Sequence, residues 1–316
     1  MKSLKIVFLG TPDFAVESLK AIQKSAHQVV GVVTMPDKKM GRGRKLQGSA
    51  VKTYAVEHNI HLMQPEKLKN PEFIEELKSL AADLFVVVAF RMLPEMVWNM
   101  PELGTVNVHG SLLPQYRGAA PINWAIINGD QETGVTVFRL KHEIDTGDIL
   151  LRKSIPITSV DNAETVHDKL MILGGQALAE SVDLIAAGKP TYLPQLKDDY
   201  LRSAPKIYKE TCQINWDQKV LPIQDFVRGL SPYPAAWTSV NTDGQLLAIK
   251  VFKTEFSLEK VPRAGAIETD NKTFLKVSGT NGWVAILELQ IAGKKRMGIT
   301  DLLRGFSFSD TCEIEC

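Results

Sequence analysis

The sequence predicts an α/β fold, a mostly parallel sheet flanked by helices, followed by a small β-barrel. Three observations carry that expectation. Apolar runs in the first half are continuous rather than alternating and are separated by helical patterns, as a parallel sheet covered on both faces requires. The last third holds short alternating segments divided by Asp-Gly, Asn-Lys and Asn-Gly turns, the signature of hairpins closing into a barrel. A length of 316 residues is about twice that of an ordinary domain.

Taken in order, residues 4–9 form a strand that stops at Gly10. Pro12 suits a first helical position, and Phe14, Leu19 and Ile22 mark the helix behind it. Residues 29–33 are a second buried strand. Asn70-Pro71 opens a helix carried by Phe73, Ile74, Leu77 and Leu80, and residues 84–89 are a strand apolar on both faces. Residues 105–109 and 134–138 are further strands. A long helix runs from about Asn162 to Ala187, with Asp161 and Glu164 as a capping box and Val166, Leu170, Leu173 and Ala177 along one face. Beyond Lys189 the texture changes: Pro190, Pro194 and Pro205 punctuate an aperiodic stretch that reads as a linker. Residues 246–252, 273–277 and 284–291 are the expected barrel strands. The chain therefore divides into a first domain over 1–189, a linker over 190–208 and a second domain over 209–316.

Composition removes several function classes. Hydrophobic residues at 44% and charged residues at 23% exclude collagen, a long disordered tail and a disulfide-packed miniature. Lys+Arg 37 against Asp+Glu 36 leaves a net charge of +1, so any case for nucleic acid must rest on local clustering. The three cysteines, Cys212, Cys312 and Cys316, form no CxxC pair and suggest reduced thiols in a cytoplasmic protein rather than a zinc site. The apolar run at residues 6–9 is too short for a signal peptide, and no window approaches 18 uncharged apolar residues, so no targeting segment and no membrane span are expected.

Several places hold residues to be weighed for chemistry. Gly10 to Phe14 sits where a dinucleotide-binding protein carries GxGxxG, yet it has a single glycine, and there is no GKS or GKT, so nucleotide binding is disfavoured. Met35 to Lys52 contains Lys38, Lys39, Arg42, Arg44, Lys45 and Lys52 against the single acid Asp37, with Gly41, Gly43 and Gly48 making it a flexible loop. Such a basic loop suits the spaced phosphates of a nucleic acid. Lys294, Lys295 and Arg296 are a weaker echo. Asn107 and His109 share one face at the carboxyl end of a parallel strand, where open α/β sheets place their ligands. An amide and an imidazole there supply a donor for an oxyanion and a carrier for a proton. Residues 142–148 add carboxylates, one of which would stabilise a protonated His109, but spacing does not choose among Glu143, Asp145 and Asp148. His58 and His61 have a metal-like spacing without nearby cysteine or acidic ligands, and no metal is expected.

The motifs Gly10-Thr11-Pro12-Asp13-Phe14, Gly41-Arg42-Gly43-Arg44-Lys45, Asn107-Val108-His109-Gly110-Ser111-Leu112-Leu113-Pro114, Arg117-Gly118-Ala119-Ala120-Pro121 and Asp145-Thr146-Gly147-Asp148 resemble the folate-dependent formyltransferase family. The basic insertion and the barrel-like tail, with Pro232-Tyr233-Pro234 and Ala292-Gly293-Lys294-Lys295, resemble its tRNA-directed branch, and the likeness runs essentially end to end. It implies a Rossmann-like formyltransferase fold with an OB-like barrel behind it. It implies 10-formyltetrahydrofolate as formyl donor, the α-amino group of methionine on initiator tRNA as acceptor, no metal, no membrane and no obligate protein partner. It assigns catalysis to Asn107, His109 and Asp145. The folate falls to Ser111, Leu112, Leu113 and Pro114 and to Phe90, Arg91, Met92 and Leu93. That second segment looks more like its counterpart in glycinamide ribonucleotide transformylase, a relative using the same folate. The tRNA falls to Lys38, Lys39, Arg42, Arg44 and Lys45, with Lys294 and Lys295 in the second domain. The alternatives are N-formylation of an amino sugar on a nucleotide, a nucleic-acid-binding module without catalysis and, last, a nicotinamide oxidoreductase.

Overall fold

The computed structural model describes residues 2–40, 45–196, 200–309 and 311–315. In chain order the first part comprises β1 (Lys5–Gly10), α1 (Asp13–Gln23), β2 (Gln28–Val33), β3 (Lys38–Met40), β4 (Lys45–Gln47), α2 (Ala50–Glu57), β5 (Leu62–Met63), α3 (Pro71–Ser79), β6 (Leu84–Val88), α4 (Glu95–Trp98) and β7 (Thr105–His109). It continues with β8 (Arg117–Gly118), α5 (Pro121–Ile127), β9 (Glu132–Arg139), β10 (Ile149–Pro156), α6 (Ala163–Ala186) and β11 (Ser203–Ala204). After a 3-10 turn at Glu210–Cys212 come α7 (Val220–Leu230), β12 (Ala236–Thr242), β13 (Gln245–Ser257), β14 (Ile267–Thr269), β15 (Leu275–Ser278), β16 (Trp283–Ile291), β17 (Met297–Gly298), α8 (Ile299–Leu303) and β18 (Glu313–Glu315).

The main sheet has the order β10-β9-β7-β6-β1-β2-β5. It is parallel from β5 through β2, β1 and β6 to β7, and β9 then pairs antiparallel with β7. This is the Rossmann-like arrangement expected. All five residues of β6 are buried, because helices cover both faces. On one face Val7, Leu9, Val33, Phe85 and Val87 pack with Phe73, Ile74 and Leu77 of α3 and Val97 of α4. Each such side chain contributes roughly 1.5–3 kcal/mol relative to exposure. On the other face α6 runs close: a methyl group at Gly174 would meet Val108 Cγ1 at 3.3 Å, and one at Gly175 would meet the Glu17 carbonyl oxygen at 3.0 Å.

Local chemistry sets several ends differently from the sequence reading. Asn70 caps α3, accepting from Glu72 N at 3.0 Å, as expected of Asn-Pro. Pro12 is the N-cap of α1 rather than its first turn. The α6 cap is the reciprocal pair Asn162 and Thr165, at 2.9 and 3.0 Å, not Asp161 and Glu164. The Asp161 carboxylate is already engaged by Thr158 N and Oγ1 and by Thr165 Oγ1. Within residues 35–52, expected as a flexible loop, β3 and β4 pair antiparallel, while Gly41 and Gly43 lie outside the described residues. Residues read as a linker are tied down: Leu193 exchanges both backbone hydrogen bonds with Ile149 at 2.8 Å, and Tyr116 N donates to Arg202 O at 2.7 Å. The strap lacks periodicity because main-chain pairing, not a buried stripe, holds it.

The chain forms two compact units. The first holds the residues up to Gly118 together with Thr133–Ile155 and His167–Ser203; the second holds Ala119–Glu132, Pro156–Val166 and the chain from Ala204 onward. Within the second, strands β14-β15-β16-β13-β12-β18 follow one another, with β17 on β16, as a nearly closed OB-like barrel. Val220, Ile223, Val227 and Leu230 of α7 enter its core. Arg228 ties the earlier stretches to α7: its Nε meets Asp225 Oδ1 at 2.8 Å, and its Nη1 donates to the carbonyls of Thr158 and Asp161 at 3.2 and 3.1 Å. Asn123 Nδ2 of α5 donates to Gly229 O at 2.8 Å. Among the described residues no helix is long and apolar enough to cross a membrane. Both side chains of the Arg228–Asp225 pair are about nine-tenths buried. Asp225→Ala would leave the guanidinium unpaired, and a urea titration should read a loss of about 3 kcal/mol.

Candidate active site

Strand β7 delivers Asn107 half-buried in its middle and His109 at its carboxyl end, 7% exposed. The two share a face because successive strand residues point to opposite sides. His109 Nε2 lies 2.8 Å from the Tyr116 carbonyl oxygen. A carbonyl only accepts, so Nε2 carries the proton in that bond, and Nδ1 is the nitrogen left to gain or lose one. Facing Nδ1 at 3.8 Å is Asp145 Oδ2. Geometry thus chooses among the three carboxylates of the 142–148 segment. Asp148 is taken by Lys141 Nζ at 2.7 Å, and Glu143 is exposed. The 3.8 Å separation is beyond hydrogen-bond length, so Asp145 acts on the imidazole through its charge, while the Tyr116 carbonyl holds the ring's direction.

Asp145 is held from three sides. Its Oδ2 accepts from Gly118 N at 3.0 Å. Its carbonyl and that of Gly147 each accept from Gln195 Nε2 at 2.8 Å, and Gln195 Oε1 accepts from Arg117 Nε and Nη2 at 3.1 and 2.6 Å. The loop also lies hard against β9: a methyl group at Gly147 would stand 1.6 Å from the Arg139 carbonyl oxygen. Asp145 itself has φ +54, in the left-handed region that Asp tolerates better than most residues. Sequence reasoning missed Tyr116 and Gln195. Both act through or upon main-chain groups, which leave no residue-type signal beyond Gln195 lying in a stretch too irregular for a helix or strand.

The residues expected to meet a folate separate into two groups. Ser111 and Leu113 have no exposed surface; Ser111 Oγ donates to Gln115 O at 2.6 Å, and Thr136 Oγ1 bridges Ser111 O and Leu113 N. A ligand at that loop therefore meets Leu112 and Pro114, which are half-buried. In the segment after β6, Phe90 and Leu93 pack into the sheet core, and Met92 is 74% exposed. The Arg91 guanidinium donates to the carbonyls of Pro65 and Glu66, burial pushes its pKa down, and its Nε has no partner among the described residues. What the segment offers a ligand is therefore its backbone and Met92.

The basic residues are placed as follows. Lys38 and Lys39 are exposed on β3, and Lys45 lies in β4; Arg42 and Arg44 lie outside the described residues. Lys52, counted in the same cluster, is spent on Asp37, meeting both oxygens at 2.8 and 2.6 Å. Together with Gln64, Lys52 holds that carboxyl below the usual carboxylate range. The single acid of the segment is thus neutralised at the hairpin's base. Lys294 and Lys295 are exposed in the turn between β16 and β17, with Lys294 Nζ 4.9 Å from the Phe306 ring. Arg296 is paired with both carboxylate oxygens of Glu288 at 2.7 Å. His61 bonds Glu76 at 2.9 Å, and no group of three or more His, Cys, Asp or Glu among the described residues is placed to hold a metal.

A formyl transferase family profile matches residues 4–182, and that of the formyl transferase C-terminal domain matches residues 206–307. The methionyl-tRNA formyltransferase of Bacteroides fragilis is 54% identical over 323 residues, covering 99% of this chain and 98% of its own. That of Parabacteroides distasonis is 57% identical over 312 residues, 96% of each chain. A sugar 3N-formyl transferase crystallised in the presence of dTDP and 5-N-formyl-THF gives a TM-score of 0.65 at 21% identity, over 93% of this chain and 100% of that one. At that identity the last likeness is one of fold. Matched across both of its parts by profiles and over nearly its whole length by close relatives, the chain belongs to the formyl transferase family, among the methionyl-tRNA formyltransferases.

Proposed function

We infer that this chain transfers the formyl group of 10-formyltetrahydrofolate to the α-amino group of methionyl-initiator tRNA, giving N-formylmethionyl-tRNA. The observation that carries the reading is the meeting of His109 Nδ1 and Asp145 Oδ2 at 3.8 Å beside Asn107, two residues of β7 brought together with one from a loop further along the chain. The amine nitrogen attacks the formyl carbon, and the carbonyl oxygen gains negative charge. Asn107 and protonated His109 donate to that oxygen. As the tetrahedral centre collapses, the carbon–N10 bond breaks and the proton lost by the amine passes by way of the imidazole to N10. Asp145 stabilises the imidazolium throughout, as the acidic member of a relay does without itself taking the proton. Donors fixed before reaction need no reorganisation as charge develops.

The folate lies at the carboxyl ends of β6 and β7, the edge where open α/β sheets take their ligands, with residues 90–93 giving backbone contacts and Leu112 and Pro114 closing one side. Residues 1–189 carry the chemistry, and residues 209–316 take part in holding the tRNA. Lys38, Lys39, Arg42, Arg44 and Lys45, with Lys294 and Lys295, meet its phosphates. The reading sets the chain in the cytoplasm, where charged tRNA and reduced folates are found.

The deciding assay supplies labelled formyl-folate with methionyl-initiator tRNA or with an amino-sugar nucleotide; label in the sugar alone would overturn the reading. Asn107→Ala and His109→Ala should each lower kcat by about 10²- to 10³-fold with the fold intact by circular dichroism. Lys38→Ala combined with Lys39→Ala should raise KM for the tRNA and flatten its salt dependence by nearly two phosphate contacts, leaving KM for the folate unchanged. Gly147→Ala forces the loop off the Arg139 carbonyl and moves Asp145; turnover should fall about a hundredfold, read beside an unchanged sheet spectrum.

A further inference from the structure

Asp145 has to stand at one distance from His109, yet its own conformation does little to keep it there. It lies in a loop at φ +54, and a backbone in that region is retained only when its surroundings hold it. Gln195 supplies that hold. Its amide can donate twice and accept twice, and all four capacities are used. The N–H groups grip the carbonyls of Asp145 and Gly147, and the oxygen takes two donors from Arg117. Arg117 stands between Tyr116, whose carbonyl fixes His109, and Gly118, whose N–H fixes the Asp145 carboxylate. The circuit is therefore closed: imidazole and carboxylate are referred to the same three residues, and Gln195 joins the far side of the loop to the middle one. We propose that Gln195 is a positioning residue for formyl transfer, setting the separation of His109 Nδ1 and Asp145 Oδ2. This rests on the reading of Asn107, His109 and Asp145 as the reacting set.

The test is steady-state kinetics on the full chain with 10-formyltetrahydrofolate and methionyl-tRNA, for Gln195→Ala, Gln195→Glu, Asp145→Asn and the Asp145→Asn/Gln195→Ala double variant. Gln195→Ala should lower kcat by about tenfold to a hundredfold, with KM for both substrates within about twofold of the unaltered chain. Gln195→Glu keeps side-chain volume and the acceptor for Arg117 but has no N–H for the two carbonyls, so its kcat should fall as far. The double variant should be no slower than Asp145→Asn alone, because the amide acts through the carboxylate. Losses that multiply in the double variant would overturn the proposal, as would a raised KM at unchanged kcat. Full activity in Gln195→Ala beside an impaired Asp145→Asn would sink the proposal and leave the catalytic reading standing. Wild-type turnover in Asp145→Asn would sink both.

Discussion

The hydrogen bond between His109 Nε2 and the Tyr116 carbonyl, 2.8 Å long, organises the site. Because the oxygen has no proton to give, it fixes which ring nitrogen is protonated and turns the other toward Asp145. A side-chain acceptor could have rotated or taken a proton itself; a carbonyl in a chain segment bonded to Arg202 has neither freedom. In the proposed relay Asp145 is thereby released from aligning the ring. It stands off at 3.8 Å, supplying charge while its oxygens are held by the main chain.

The same economy recurs at the basic hairpin. Asp37 is the only acid in the segment, and Lys52 and Gln64 take up its charge from below. Lys38 and Lys39 are then left without an opposing carboxylate on their own strand, as the proposed contact with tRNA phosphates requires. In the second unit charge is used the opposite way. Arg228 is sunk beside Asp225 and donates to two carbonyls, so it positions chain segments.

How much of this was legible in the sequence depended on whether side chains or main chain carried the contact. Strand 84–89 was readable because burial on both faces leaves an unbroken apolar run, and strand 105–109 because Thr105, Val106 and Val108 are β-branched; they match β6 and β7 closely. Helix α7 was not read: Pro222 in its first turn and Gly229 near its end obscure a stripe that Val220, Ile223, Val227 and Leu230 make plain once seen. Strand β12 was hidden because Thr238 and Thr242 point inward among its apolar residues, blurring the alternation. Asn107 and His109, proposed here as catalytic, were singled out from residue type and place. Asp145 could not be separated from Glu143 and Asp148 by spacing, since loop geometry, not periodicity, decides which carboxylate faces the ring. Gln195 left no trace, because what it recognises is peptide oxygen.

The left-handed backbone at Asp145 carries a consequence for the lineage of this protein. Asparagine occupies that region as comfortably as aspartate and differs from it by one base in the codon. The neutral amide would fill the same space and accept from the same Gly118 N–H, so the change would cost the fold almost nothing while stripping the charge that the imidazole relies on. Silent copies arising by drift would therefore retain shape and solubility, and a census based on architecture alone would count them among the living enzymes.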